Sequence, residues 1–132
     1  MDGSTRCLRI LVVDDDSDAA QAMAQLLPLI SQVPMVVTVA FDGKEAVALA
    51  CAPSAPPDVV ILDMEMPGLN GFDAAAAIHA RLGDHTPRLI AVSGNVKYVA
   101  VASSTALFHH ALAKPVDVEQ LVRLLDGASP QG

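Results

Sequence analysis

Five short apolar runs recur along this chain, each followed by a stretch with helical periodicity, and that alternation constrains the fold more than any other feature. The runs are LRILVV (8–13), MVVTVAF (35–41), DVVILD (58–63), RLIAVS (88–93) and HALAK (110–114). Four of the five are continuously apolar rather than alternating, which is how strands covered by helices on both faces read. The first helical stretch, about 18–31, carries Ala20, Met23, Leu27 and Ile30 on one face, and Pro28 inside it should kink it or end it early. Asp42, with Glu45 three residues on, starts a short second helix, and Gly83 closes a third running from Gly71 to Leu82. A fourth lies within NVKYVAVASSTALF (95–108). The fifth spaces Val118, Leu121, Val122 and Leu125 along one face, with Asp117 as N-cap, Gln120 at the third helical position and Gly127 past the end. Five β-α units joined by right-handed crossovers give an α/β fold: one parallel sheet with helices on both faces.

With 132 residues, 52% of them hydrophobic, the chain has enough apolar surface for one domain. The expectation is a single domain over 1–132, with a core of about 8–126 and short flexible termini. The core should be built from small side chains, because Ala and Val are abundant and aromatics make up only 3%. A net charge of −7 disfavours nucleic acid and anionic membrane surfaces, both of which call for basic side chains. No apolar run approaches the roughly 18 residues of a spanning helix, so a soluble cytoplasmic protein is expected. Cys7 and Cys51 fit no metal spacing and read as reduced thiols.

In a doubly wound sheet the working groups gather at the carboxyl ends of the strands. Here the first strand stops at Asp14 and Asp15, the third at Asp63, the fourth at Ser93 and the fifth at Lys114 and Pro115. Carboxylates converging on one edge resist ionising together unless a cation joins them. Mg²⁺ suits a site of a few oxygens, retained waters and a phosphate. Lys114 adds a positive charge and the Ser93 hydroxyl can donate to a phosphoryl oxygen. These are the parts of a phosphoryl-transfer site, in which a carboxylate could be the nucleophile. Asp16, Ser17 and Asp18 read instead as the turn and cap of the first helix, and Asp73 as a first-turn acid of the third. His79, His85, His109 and His110 lack metal-ligand partners at readable spacing.

Taken in order, ILVVDDD, DVVILDMEMPGLNG, LIAVSG and ALAKPVD resemble the successive signatures of the response-regulator receiver domain, over about Leu8 to Leu125. The resemblance implies the flavodoxin-like strand order 2-1-3-4-5. It also implies Asp63 as phosphoacceptor, Asp15 as direct Mg²⁺ ligand, Asp14 as the acid holding the metal mainly through water, and the Glu65 backbone carbonyl as a third protein ligand. Ser93 matches the hydroxyl that binds the phosphoryl group, Lys114 the family's lysine, and Pro115 implies a cis Lys-Pro bond. The partner implied is a histidine kinase or histidine phosphotransfer protein, and the chain catalyses only its own phosphorylation and dephosphorylation. Side chains two residues after the acceptor and the hydroxyl, here Glu65 and Asn95, tune phosphoryl lifetime in this family.

The chain also departs from that pattern. Where the family usually carries an aromatic three residues before the lysine, this sequence has Ala111, and the neighbouring His110 should face the other side of its strand. The fourth helix is rich in β-branched residues and holds one charge, Lys97. It reads as a labile helix, a partner-covered one, or a small-residue helix packed on the sheet. With the fifth strand it is the expected face for output or self-association. CAPSAPPD (51–58) reads as a stiff surface connection. Two other functions compete. A haloacid-dehalogenase-like phosphatase would use Asp14 as nucleophile and Asp16 as acid/base, but leaves Asp63 and its glycine loop unexplained and offers little chain for a cap. A receiver-like binding module that has lost phosphorylation is disfavoured by the presence of Asp14, Asp15, Asp63, Ser93 and Lys114 together. A calcium loop counted from Asp14 would place Ala19 at its glycine and Gln25 at its bidentate glutamate. The residues leave no room for an appended DNA-binding domain, so a stand-alone shuttle or adaptor, or a receiver cut from a hybrid kinase, is expected.

Overall fold

The structure, a computed structural model, describes residues 7–126. Gly127 and the expected flexible termini lie outside them. Five strands, β1 (Leu8–Val13), β2 (Met35–Ala40), β3 (Val59–Asp63), β4 (Arg88–Ser93) and β5 (His110–Ala113), pair in parallel in the order β2-β1-β3-β4-β5. Between and after them run α1 (Ser17–Ile30), α2 (Gly43–Ala50), α3 (Gly71–Leu82), α4 (Val96–Ser104) and α5 (Val118–Asp126). The architecture is the doubly wound one expected, with every strand within a residue of its apolar run.

The strands are continuously apolar because both of their faces are covered. Leu11, Val13, Val60, Leu62, Leu89 and Ala91 point into one cluster shared with α2, α3 and α4. Ile10, Val12, Ile61, Ile90 and Val92 point into another, shared with α1 and α5. No residue belongs to both. Alanines at Ala46, Ala50, Ala74, Ala75 and Ala102 are buried in the first cluster, so its helices approach the sheet through small side chains.

Side-chain caps set where the helices begin. The carboxylate of Asp16 accepts the N–H groups of Asp18 and Ala19, and that of Asp117 accepts those of Glu119 and Gln120. At α2 a reciprocal pair forms: Asp42 accepts from Glu45 N–H, and the Glu45 carboxylate accepts from Phe41 N–H. The Phe41 N–H is thus bound within the α2 cap, and β2 stops one residue short of its apolar run. The Asn70 side chain caps α3, and Gly83, with φ of 54°, ends it.

Helix α1 is not ended early by Pro28. It runs to Ile30, where Ser31 N–H bonds to the Leu27 carbonyl, and the Ser31 hydroxyl donates to Asp126 of α5 at 2.6 Å. Along the expected face Ala20 and Leu27 are buried, Met23 is half-buried, and Ile30, at the helix end, is 40% exposed. The expected surface connection at 51–58 is irregular between α2 and β3, and it lines a shallow hollow with Arg9, Val36 and Thr38.

Candidate functional site

The backbone ladder continues past the strand ends and fixes the residues that follow them. Asp14 N–H bonds to the Ala40 carbonyl, Met64 N–H to Val92, and Lys114 N–H to Ser93. Asp14 and Asp15, Asp63, Ser93 and Lys114 are therefore held at the carboxyl edge of β1, β3, β4 and β5, beside the point where strand order reverses.

Carboxylate oxygens of Asp14, Asp15 and Asp63 lie within 4.8 Å of one another. Lys114 Nζ stands 3.3 Å from Asp63 Oδ2 and 3.5 Å from Asp14 Oδ2. Asp63 is only 4% exposed. Burial pushes its pKa up to about 6, and Asp14 adds to the rise, against the opposing pull of the Glu65 N–H and the Lys114 ammonium. Burial also disfavours the charged lysine, but the attraction of Asp63 and then Asp14 outweighs it and raises the Lys114 pKa. One ammonium faces three acids, so the site is short of positive charge. A small divalent cation bound by oxygen ligands would correct that, and the donor set fits one.

The loop after β3 is shaped by close approach. Gly68 has φ of 75°. A Cβ on Gly71 would lie 2.6 Å from Met64 Sδ and 2.8 Å from the Asp63 carbonyl oxygen, so α3 can start against the acid's own backbone only with glycine there. The Glu65 N–H donates to Asp63 Oδ1 at 3.0 Å, and its side chain turns to accept a hydrogen bond from the Ser93 hydroxyl at 2.7 Å. The Lys114–Pro115 peptide bond is cis.

A family model for the response regulator receiver domain matches residues 10–126. The chain belongs to the response-regulator receiver family. This receiver is 31% identical over 122 residues to the positive alginate biosynthesis regulatory protein of Pseudomonas aeruginosa, covering 92% of this chain and 47% of that one. It is 34% identical to the transcriptional regulatory protein PrrA of Mycobacterium leprae, with coverage of 92% and 50%. The chain thus spans about half the length of these curated relatives. Among solved structures it resembles the response regulator protein TrrA of Thermotoga maritima, determined in complex with Mg²⁺-BeF. The TM-score there is 0.75 and the identity 27%, over 89% of this chain and 96% of that one. The receiver is thereby placed in two-component signalling, and the phosphatase and binding-module alternatives are not favoured.

Within the receiver, Asp14 and Asp15 lie with Asp63 in the acid cluster, whereas the Asp16 carboxylate caps α1. Ala111 packs on the α2–α4 side of the sheet and Leu112, next along, on the α1–α5 side, so His110 does not occupy the place of the absent aromatic. Two features escaped the sequence. Phe72 of α3 meets Tyr98 of α4 edge-on at 6.1 Å and Phe108 at 6.0 Å, and no period links residues from three separate segments. A cavity of about 520 Å³ also opens from Asp14, Asp63 and Lys114 toward Ala19, Met23 and Val116; its lining comes from residues far apart in sequence.

Proposed function

We propose that Asp63 is the phosphoacceptor of this receiver, taking a phosphoryl group from the phosphohistidine of a histidine kinase or a histidine phosphotransfer protein. The observation that carries the reading is the buried Asp63 carboxylate standing between two further acids and Lys114. An Asp63 oxygen attacks phosphorus as the bond from phosphorus to the imidazole nitrogen breaks, and the electron pair leaves with the imidazole. Asp15, Asp63, Asp14 and the Glu65 backbone carbonyl would hold Mg²⁺, which when bound neutralises charge on the acids and the incoming phosphoryl oxygens. Lys114 contributes fixed positive charge beside Asp63. The Ser93 hydroxyl donates to a phosphoryl oxygen once the group has arrived. The chain acts as one receiver unit and as a switch, modifying itself rather than an outside substrate, in the cytoplasm. Its output or self-association face is α4 with β5, where Val96 is 79% and Val101 51% exposed.

Incubation with Mg²⁺ and acetyl phosphate, followed by reductive trapping and mass spectrometry, tests this. Label is expected on Asp63, lost in Asp63→Asn and strongly reduced in Asp15→Ala. Label elsewhere, or hydrolysis of phosphate esters that depends on Asp14 and not on Asp63, would overturn it.

A further inference from the structure

Ser93 is fully buried, and its hydroxyl both donates and accepts a hydrogen bond. Its single proton goes to Glu65 Oε1 at 2.7 Å, and its oxygen accepts the Asn95 N–H at 2.9 Å. A hydroxyl has one proton to give, so it cannot donate to Glu65 and to a phosphoryl oxygen at once. The bond to a carboxylate is short, of the stronger charge-assisted kind. Asn95 is also the cap of α4, its side chain accepting the Lys97 N–H at 2.9 Å. Tyr98, in the first turn of that helix, rests edge-on against Phe72. A line of hydrogen bonds thus runs from Glu65 through Ser93 and Asn95 into the first turn of α4, which carries Tyr98.

The geometry points to Glu65 as a positioning residue whose carboxylate holds the Ser93 hydroxyl, and with it the start of α4, in the resting arrangement until a phosphoryl group draws that hydroxyl away. This rests on the reading of Asp63 as the phosphoacceptor. Glu65 is itself exposed, so its carboxylate passes to water when released. The charge arriving on Asp63, whose Oδ1 already accepts the Glu65 N–H, repels the same carboxylate and favours release. The latch lies at the loop after β3 and acts on α4, so it does not depend on the side chain at position 111.

The chain has one tyrosine and no tryptophan, so the Tyr98 ring signals in NMR and its fluorescence report on α4 without labelling. Wild type is recorded with and without Mg²⁺ and acetyl phosphate, and the label on Asp63 is read by mass spectrometry in the same samples; this sets the direction in which the signals travel on phosphorylation. Glu65→Ala, Glu65→Gln, Ser93→Ala and the Glu65→Ala/Ser93→Ala pair are then recorded without phosphodonor, with circular dichroism confirming the fold. Glu65→Ala should move the Tyr98 and α4 amide signals along the wild-type phosphorylation direction. Glu65→Gln, which keeps an acceptor oxygen, should move them less, and Glu65→Ala should add no shift in the Ser93→Ala background. Label on wild-type Asp63 together with an unmoved Tyr98 in Glu65→Ala overturns the latch alone, as does an equal shift with and without Ser93. No label on wild-type Asp63 overturns the phosphoacceptor reading and removes the trigger.

Discussion

At Asp63, burial and charge oppose each other, and the balance has a measurable sign. Its folded pKa of about 6 lies above the ordinary carboxylate value, so the folded state keeps the proton longer than the unfolded one. The group's contribution to stability is complete below about pH 4, the unfolded value, and is lost as pH rises through about 6. In metal-free protein, Asp63→Asn should therefore raise stability by about 1–3 kcal/mol at neutral pH, with the gain vanishing below about pH 4. Urea denaturation in chelator across that range measures it, and an Asn variant no more stable at neutral pH would show that the carboxylate is not strained by its surroundings. Asp14, Asp15, Asp63, Ser93 and Lys114 were all legible because each directly follows or ends an apolar run, where a parallel sheet collects its chemistry. The Glu65 side chain was legible only as an exposed acid on a loop. Its bond to Ser93 joins two strand ends across the sheet, and nothing local in either segment announces it.

Among the elements, α1 separates capping from metal binding within one acidic run. Asp16→Ala removes the acceptor of two N–H groups and should cost about 1 kcal/mol. Asp18→Ala loses only a favourable first-turn charge and should cost about 0.3–1 kcal/mol or less. Urea midpoints compare the two, and equal losses would contradict the cap assignment. Between β4 and β5, His109 Nδ1 accepts the Leu89 N–H at 3.3 Å, a role open only to the unprotonated nitrogen. Burial, then the charges of Arg88, His110 and His79, lower its pKa. The folded value lies below the unfolded one, so its stabilising contribution is present above the ordinary histidine range and is lost as pH falls from there through the lowered folded value. Wild type should show a fall in thermal midpoint over that window that His109→Ala lacks, and NMR titration should place His109 below the ordinary histidine value. The helix boundaries were legible where a cap or a breaker marks an end, as Asp42 does for α2, Gly83 for α3 and Asp117 for the start of α5. α4 was harder to read, since its β-branched residues weaken the helical signal. In the structure only Ala102 of its nine residues is buried.

Across the whole molecule, the sheet divides the interior into two clusters that share no residue. Leu27, from α1, and Ile78, from α3, sit fully buried on opposite sides. Leu27→Ala should cost about 2–5 kcal/mol and Ile78→Val about 0.5–1.5 kcal/mol. The pair should add to within about 0.5 kcal/mol, and a larger departure in a double-mutant cycle would mean that the sheet transmits repacking from one side to the other. Additivity of that kind has a consequence for descent. The α1–α5 side adjoins the cavity that opens beside the acids, and the α2–α4 side carries the aromatic contacts and the exposed residues of α4. A lineage can then accumulate substitutions on α4 and its neighbours while the opposite half keeps its shape from ancestor to descendant.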